Sequence, residues 1–103
     1  MIDLIEKNYE TLKKLCVQYK VKRLEIFGSA VRSEDFDPEK SDLDFLVEFE
    51  QLQSGEYADS YFGLLEAIEN LFNRHIDLVM TKAIKNPYFM ESINQQRKLL
   101  YAA

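Results

Sequence analysis

Cysteine and histidine are nearly absent from this chain: one of each in 103 residues, Cys16 and His75. A single thiol excludes an internal disulfide and fits a reducing compartment. One cysteine and one histidine also exclude zinc sites of the usual Cys/His kind. A nucleophilic Cys16–His75 pair is arithmetically possible, but Cys16 falls on the apolar stripe of a helix and reads as a small buried hydrophobe. Basic charge is scarce too, with 13 Lys and Arg against 18 Asp and Glu and a net charge of −5. A protein that neutralises many phosphates needs a basic face, so broad nucleic-acid binding is disfavoured. No apolar run approaches the roughly 18 residues of a membrane span, and no signal peptide is read. The expected location is the cytoplasm, with no membrane association. Nothing in the chain repeats, and no linker or low-complexity segment interrupts it.

What is present reads as one folded domain. With 47% hydrophobic and 30% charged residues, a single core of modest size over 1–103 is the expectation. Ile2, Ile5, Tyr9, Leu12, Cys16 and Tyr19 recur at steps of three and four, the stripe of one amphipathic helix. Val21 to Phe27 reads as a strand with Leu24 and Ile26 on one face. A second strand runs from about Asp42 to Phe49. Leu43, Phe45 and Val47 share one of its faces; Asp42, Asp44, Leu46 and Glu48 share the other. After a polar connection, Asp59 or Ser60 caps a helix whose buried face is Tyr61, Leu64, Leu65, Ile68, Leu71 and Phe72. Gly63 inside it costs about 1 kcal/mol in propensity, which points to close packing there. Ile76 to Met80 is a third strand. Asn86-Pro87 opens a last helix, running through Phe89, Ile93 and Leu100 toward Tyr101, with Asn94 to Lys98 as its wet face.

The chemistry concentrates in Ile26 to Val47, IFGSAVRSEDFDPEKSDLDFLV. Gly28 allows a tight turn at the end of the first strand. Ser29 can present a backbone N–H and a hydroxyl to an anion, and Arg32 on the same turn can add a charge-assisted contact. Asp42 and Asp44 point the same way, roughly 6.5 Å apart along the strand, close enough to grip a shared pair of cations. Asp77 sits between Ile76 and Leu78, an unfavourable place for an aspartate in a strand unless it has a task. Three carboxylates within a few Å repel by several kcal/mol per pair at intermediate dielectric, and a fold tolerates that where a cation binds. By contrast, Glu34, Asp35, Asp37 and Glu39 read as an ordinary solvated loop. For the turn and all three aspartates to meet, the first strand must run against the other two. That gives an α/β fold with a mixed three-stranded sheet packed with about four helices in the order α-β-α-β-α-β-α.

These same residues carry a family resemblance. Gly28-Ser29, then Asp42-x-Asp44, then a lone aspartate in a later strand resembles the DNA polymerase beta nucleotidyltransferase superfamily. Within it, GSAVR at 28–32 and SDLDFLV at 41–47 are similar to the minimal nucleotidyltransferases, small proteins often paired with a HEPN-domain protein in toxin–antitoxin systems. The resemblance implies a nucleotidyltransferase fold and a Mg²⁺-dependent transfer of a nucleoside monophosphate, AMP from ATP, to a hydroxyl. It implies that Asp42, Asp44 and Asp77 hold two Mg²⁺ ions, that Asp77 also activates the hydroxyl, and that Gly28, Ser29, Arg32 and Ser41 bind the nucleotide. Magnesium prefers oxygen, so His75 reads as a strand-edge residue and not as a ligand. A chain this short is expected to leave its acceptor to another protein, a HEPN-domain toxin, or to a small molecule. A non-catalytic antitoxin that masks its HEPN partner is the alternative from a different class.

Overall fold

The computed structural model describes residues 3–31, 37, 42–94 and 96–103, with only the backbone described for Ser29 and Ser92. Its elements are α1 (Asp3–Lys7), α2 (Tyr9–Gln18), β1 (Val21–Phe27), β2 (Leu43–Phe49), α3 (Glu56–Phe72), β3 (Ile76–Met80), α4 (Pro87–Asn94) and β4 (Arg97–Ala102). Single 3-10 turns follow β1 at Gly28–Ala30 and β3 at Thr81–Ala83. The strands form one mixed sheet in the order β3-β2-β1-β4. β1 runs antiparallel to β2 and β4, while β2 and β3 are parallel. The opposed direction of β1, expected from the placement of its turn, is therefore present.

One face of the sheet carries the core. Leu24 and Ile26 of β1, Leu43, Phe45 and Val47 of β2, and Ile76 and Leu78 of β3 are all buried. Alternation along each strand sends these side chains to one side, where α2 and α3 cover them with Leu12, Cys16, Leu64, Ile68 and Phe72. Burial pushes the Cys16 thiol up to about 12, so it is inert packing material and no partner for the exposed His75. Gly63 has the packing reason expected of it, since a Cβ there would lie 2.5 Å from the Tyr19 ring.

Four local expectations are corrected. The first helix is broken at Asn8, whose amide donates to the Leu4 carbonyl at 2.8 Å and competes with the helical ladder. The helix α3 starts at Gly55 and not at Asp59 or Ser60. Gly55 takes φ +95°, and the Glu56 carboxylate accepts a hydrogen bond from the Gln53 N–H at 3.2 Å. Between β1 and β2 the described backbone forms only a single 3-10 turn, with Val31 N–H donating to Gly28 O at 3.1 Å. The largest change is at the end: the last helix stops at Asn94, and Arg97–Ala102 becomes a fourth strand. Its start is as expected, with Asn86 Oδ1 accepting from the Tyr88 and Phe89 N–H groups.

Tertiary structure overrides the helical pattern there because β1 has an open edge and a buried acid. Glu25 is only 4% exposed, on the face away from α2 and α3. Arg97 reaches it from β4 through Nε at 2.5 Å and Nη2 at 2.8 Å, and Arg23 adds a contact at 2.7 Å. Burial alone would raise the Glu25 acid. The two guanidiniums outweigh it and hold the carboxyl below its ordinary value. The β4 register then follows, with Phe27 opposite Arg97 and Glu25 opposite Leu99.

Removing Arg97 leaves Glu25 buried with one partner. Arg97→Ala is expected to cost about 2–4 kcal/mol near neutral pH. Because the folded-state acid is depressed, the stabilisation exists above the unfolded value and fades as pH falls through the folded one. Chemical denaturation at neutral pH and near pH 3 should therefore show a smaller penalty in acid. A penalty equal at both pH values would mean that Arg97 acts through packing alone.

Candidate active site

The parallel pairing of β2 with β3 builds the site. Its register sets Leu43 opposite Ile76, Asp44 opposite Asp77 and Phe45 opposite Leu78. Leu43 and Phe45 of β2, with Ile76 and Leu78 of β3, face the core. Asp44 and Asp77 therefore stand side by side on the other face, at the end where both strands begin. One step earlier, Leu43 N–H donates to His75 O at 3.4 Å, which brings Asp42 alongside His75. Ligand atoms of Asp42, His75 and Asp77 all lie within 4.8 Å of one another. Because β1 is antiparallel to β2, its last residue Phe27 pairs with Asp44, and the Gly28 turn arrives at the same spot.

Gly28 has two reasons to be glycine. Its φ is +77°, and a Cβ would lie 2.6 Å from Asp44 Oδ2. The carboxylate thus rests against bare backbone, in space that no side chain could share. Asp42 and Asp77 are exposed while Asp44 is half-buried. Behind the carboxylates lies a cleft of about 340 Å³ lined by Phe27, Asp44, Tyr61, Asp77, Val79 and Phe89 among others. Tyr61 closes its wall by donating to the Leu78 carbonyl at 2.5 Å. Burial first, and the Asp77 charge second, hold its phenol above the ordinary value. A larger groove of about 750 Å³ lies elsewhere, between α2 and β4, away from every carboxylate of the site.

Asp44 shows how crowded the arrangement is. Its acid is raised from 3.8 to about 7 by burial, then by Asp77, close enough to hydrogen-bond, and then by the charge of Asp42; His75 acts in the opposite sense. A carboxyl that holds its proton against two neighbours is what a cation would relieve. The donor set is hard carboxylate oxygen and fits Mg²⁺.

Of the residues read from sequence, the structure brings together Gly28, the Ser29 backbone, Asp42, Asp44 and Asp77. Arg32 and Ser41 lie outside the described residues. Sequence reading missed Tyr61 and Phe89 as cleft walls, since their helical spacing signals only packing. It also set His75 aside, although His75-x-Asp77 repeats the spacing of Asp42-x-Asp44.

Two expectations follow for the metal-free protein. Asp44 keeps its proton to about pH 7 when folded but ionises near 3.8 when unfolded, so the folded state binds more protons in between and stability falls as pH rises across that window. Relative to Asp44→Asn, the wild type should lose about 1–2 kcal/mol from roughly pH 4 to pH 8, less than full linkage because water reaches a half-buried carboxylate. Parallel urea midpoints for the two proteins across that range would contradict the crowding. Gly28→Ala should cost about 1–2 kcal/mol for the left-handed backbone, yet lose essentially all Mg²⁺ binding by calorimetry as Asp44 is pushed aside. Retained binding would show that this close approach is dispensable.

Comparison with known proteins agrees with this geometry. Residues 10–103 match the family described as Polymerase beta, Nucleotidyltransferase. The Methanocaldococcus jannaschii protein named "Putative protein adenylyltransferase MJ0128" is 41% identical over 93 residues, covering 90% of this chain and 87% of that one. A solved structure described as a "putative minimal nucleotidyltransferase" superposes with a TM-score of 0.73 at 28% identity, over 94% of this chain and 95% of the other. A chain from a Shewanella oneidensis structure, described as a tri-AMPylated HEPN toxin in complex with MNT antitoxin, shares the fold. It has a TM-score of 0.64 at 17% identity, over 95% of this chain and 72% of that one. With a mixed sheet that gathers three aspartates beside a glycine turn and a family match spanning nearly all of its length, this chain belongs to the polymerase beta nucleotidyltransferase family and is a nucleotidyltransferase.

Proposed function

We propose that this single-domain enzyme is a Mg²⁺-dependent protein adenylyltransferase that moves AMP from ATP to a hydroxyl on a HEPN-domain partner and so acts as an antitoxin in the cytoplasm. The observation that carries the reading is the convergence of Asp42, Asp44 and Asp77 at the mouth of β2 and β3, with Gly28 packed against Asp44. The name of the M. jannaschii relative supports adenylyl transfer to protein, and the description of the S. oneidensis complex supports a HEPN toxin as the acceptor.

In this reading Asp42, Asp44 and Asp77 would hold the two Mg²⁺ ions. Bound there, the ions neutralise the charge of the nucleotide phosphates and stabilise the leaving pyrophosphate. The backbone of Gly28 and Ser29 receives the β- and γ-phosphates, with Arg32 and Ser41 in support. The exposed Asp77 accepts the proton of the attacking hydroxyl. The hydroxyl oxygen forms a bond to the α-phosphorus in line with the departing oxygen, the bond to the β-phosphate breaks, and pyrophosphate leaves with its electron pair. The cleft of Phe27, Tyr61, Val79 and Phe89 offers apolar walls to the nucleoside or to the acceptor side chain. The rigid strands contribute positioning, and little else is asked of the protein in phosphoryl transfer.

The test is a titration of HEPN-partner activity against this protein with Mg²⁺ and ATP, read alongside intact-protein mass. The wild type should neutralise the partner well below one-to-one stoichiometry, each partner gaining the mass of one or more AMP groups. Asp42→Asn/Asp44→Asn should add no mass and lose protection at those ratios. Equal protection by both proteins at one-to-one, with no mass added, would replace the enzyme reading with that of a masking antitoxin.

A further inference from the structure

The parallel register that joins Asp44 to Asp77 also makes His75 the fourth corner of the carboxylate cluster. Successive side chains alternate faces, so Asp42 just before β2 with Asp44 inside it, and His75 just before β3 with Asp77 inside it, occupy one surface as two adjacent pairs. His75 Nε2 lies 3.1 Å from Asp77 Oδ1, and it joins Asp42 and Asp77 in a set of ligand atoms within 4.8 Å of one another. Both side chains are more than half exposed, so neither is committed to packing and an ion can approach without moving the core.

We propose that His75 is a metal-selectivity residue: it supplies a nitrogen ligand beside Asp42 and Asp77, so that the site binds nitrogen-accepting transition ions such as Co²⁺ much more tightly than Mg²⁺. The inference rests on the reading of these aspartates as the metal site. Nε2 lies in hydrogen-bond range of Asp77 Oδ1, a contact that needs the ring proton on Nε2; with that proton moved to Nδ1, the Nε2 lone pair points to the same place. A cation arriving between the carboxylates replaces that hydrogen bond with a metal–nitrogen bond. Magnesium takes oxygen almost exclusively and keeps several waters, so it gains little from the imidazole. Later first-row ions gain from it, in the Irving–Williams order. His75 is thereby a route by which the available divalent metal sets how long the site stays loaded.

The chain has a single histidine, so any imidazole signal in a tag-free protein belongs to His75. The experiment is calorimetric titration of the tag-free full chain with CoCl₂ and with MgCl₂, for the wild type, His75→Gln and Asp44→Asn. It is paired with proton NMR of the Co²⁺-loaded proteins. The wild type should show hyperfine-shifted imidazole resonances, and His75→Gln should lose them. His75→Gln should also lose about tenfold or more in Co²⁺ affinity, with a much smaller change for Mg²⁺. Asp44→Asn should weaken both metals. A wild type that binds both ions but gives no shifted imidazole resonance, or a His75→Gln protein whose Co²⁺ affinity is unchanged, overturns the role of His75 and leaves the carboxylate site standing. A wild type that binds neither ion overturns the metal site itself, and this inference with it.

Discussion

Parallel pairing between β2 and β3 sets Asp44 beside Asp77, and two carboxylates a strand's width apart repel unless a proton or a cation lies between them. Much of the molecule is arranged to hold that pair in place. Leu43, Phe45 and Val47 on one side of β2, and Ile76 and Leu78 on one side of β3, bury themselves under α2 and α3. Those apolar contacts fix the register, because a slip of one residue would turn every aspartate into the core and every leucine into water. Packing on one face thus supplies the force that keeps like charges together on the other.

β1 plays a different part. It carries no carboxylate of the site, but its antiparallel run delivers the Gly28 turn to Asp44, and its far edge is closed by β4. The Glu25–Arg97–Arg23 cluster on the site's side of the sheet ties that closure down. Among the described residues the sheet therefore has two electrostatic centres on one face: a paired one under β1 and β4, and an acidic one under β2 and β3. The first is internally paired and serves the fold. The second gathers like charges and is available to a cation and its anionic cargo. Membership in the polymerase beta nucleotidyltransferase family is consistent with that division.

Several features were legible in the sequence because their cause is local. Alternation gave the faces of β1, β2 and β3, and the step of three and four gave the buried stripes of α2 and α3. The aspartates were legible for a related reason: Asp42-x-Asp44 and Asp77 are polar residues placed where a strand should be apolar. Gly28 was legible as a turn. That its missing Cβ also makes room for Asp44 was not, since the clash involves residues sixteen apart in sequence.

The sequence by itself determined which residues face the core and which carry charge out of it, because side-chain direction follows from the period of the element alone. Tertiary structure decided the rest. Arg97 to Ala102 follow a helical spacing but lie as a strand, because β1 had an unpaired edge and Glu25 a buried charge, and both needs outweigh a weak local propensity. Asn8 ends a helix early because its own side chain can satisfy the backbone. His75 looked like a strand-edge residue, yet it stands among the carboxylates because the partner strand, 33 residues earlier in the register that pairs Asp44 with Asp77, is held in parallel beside it. Period fixes a direction; only pairing fixes a neighbour, and neighbours are what a metal site is made of.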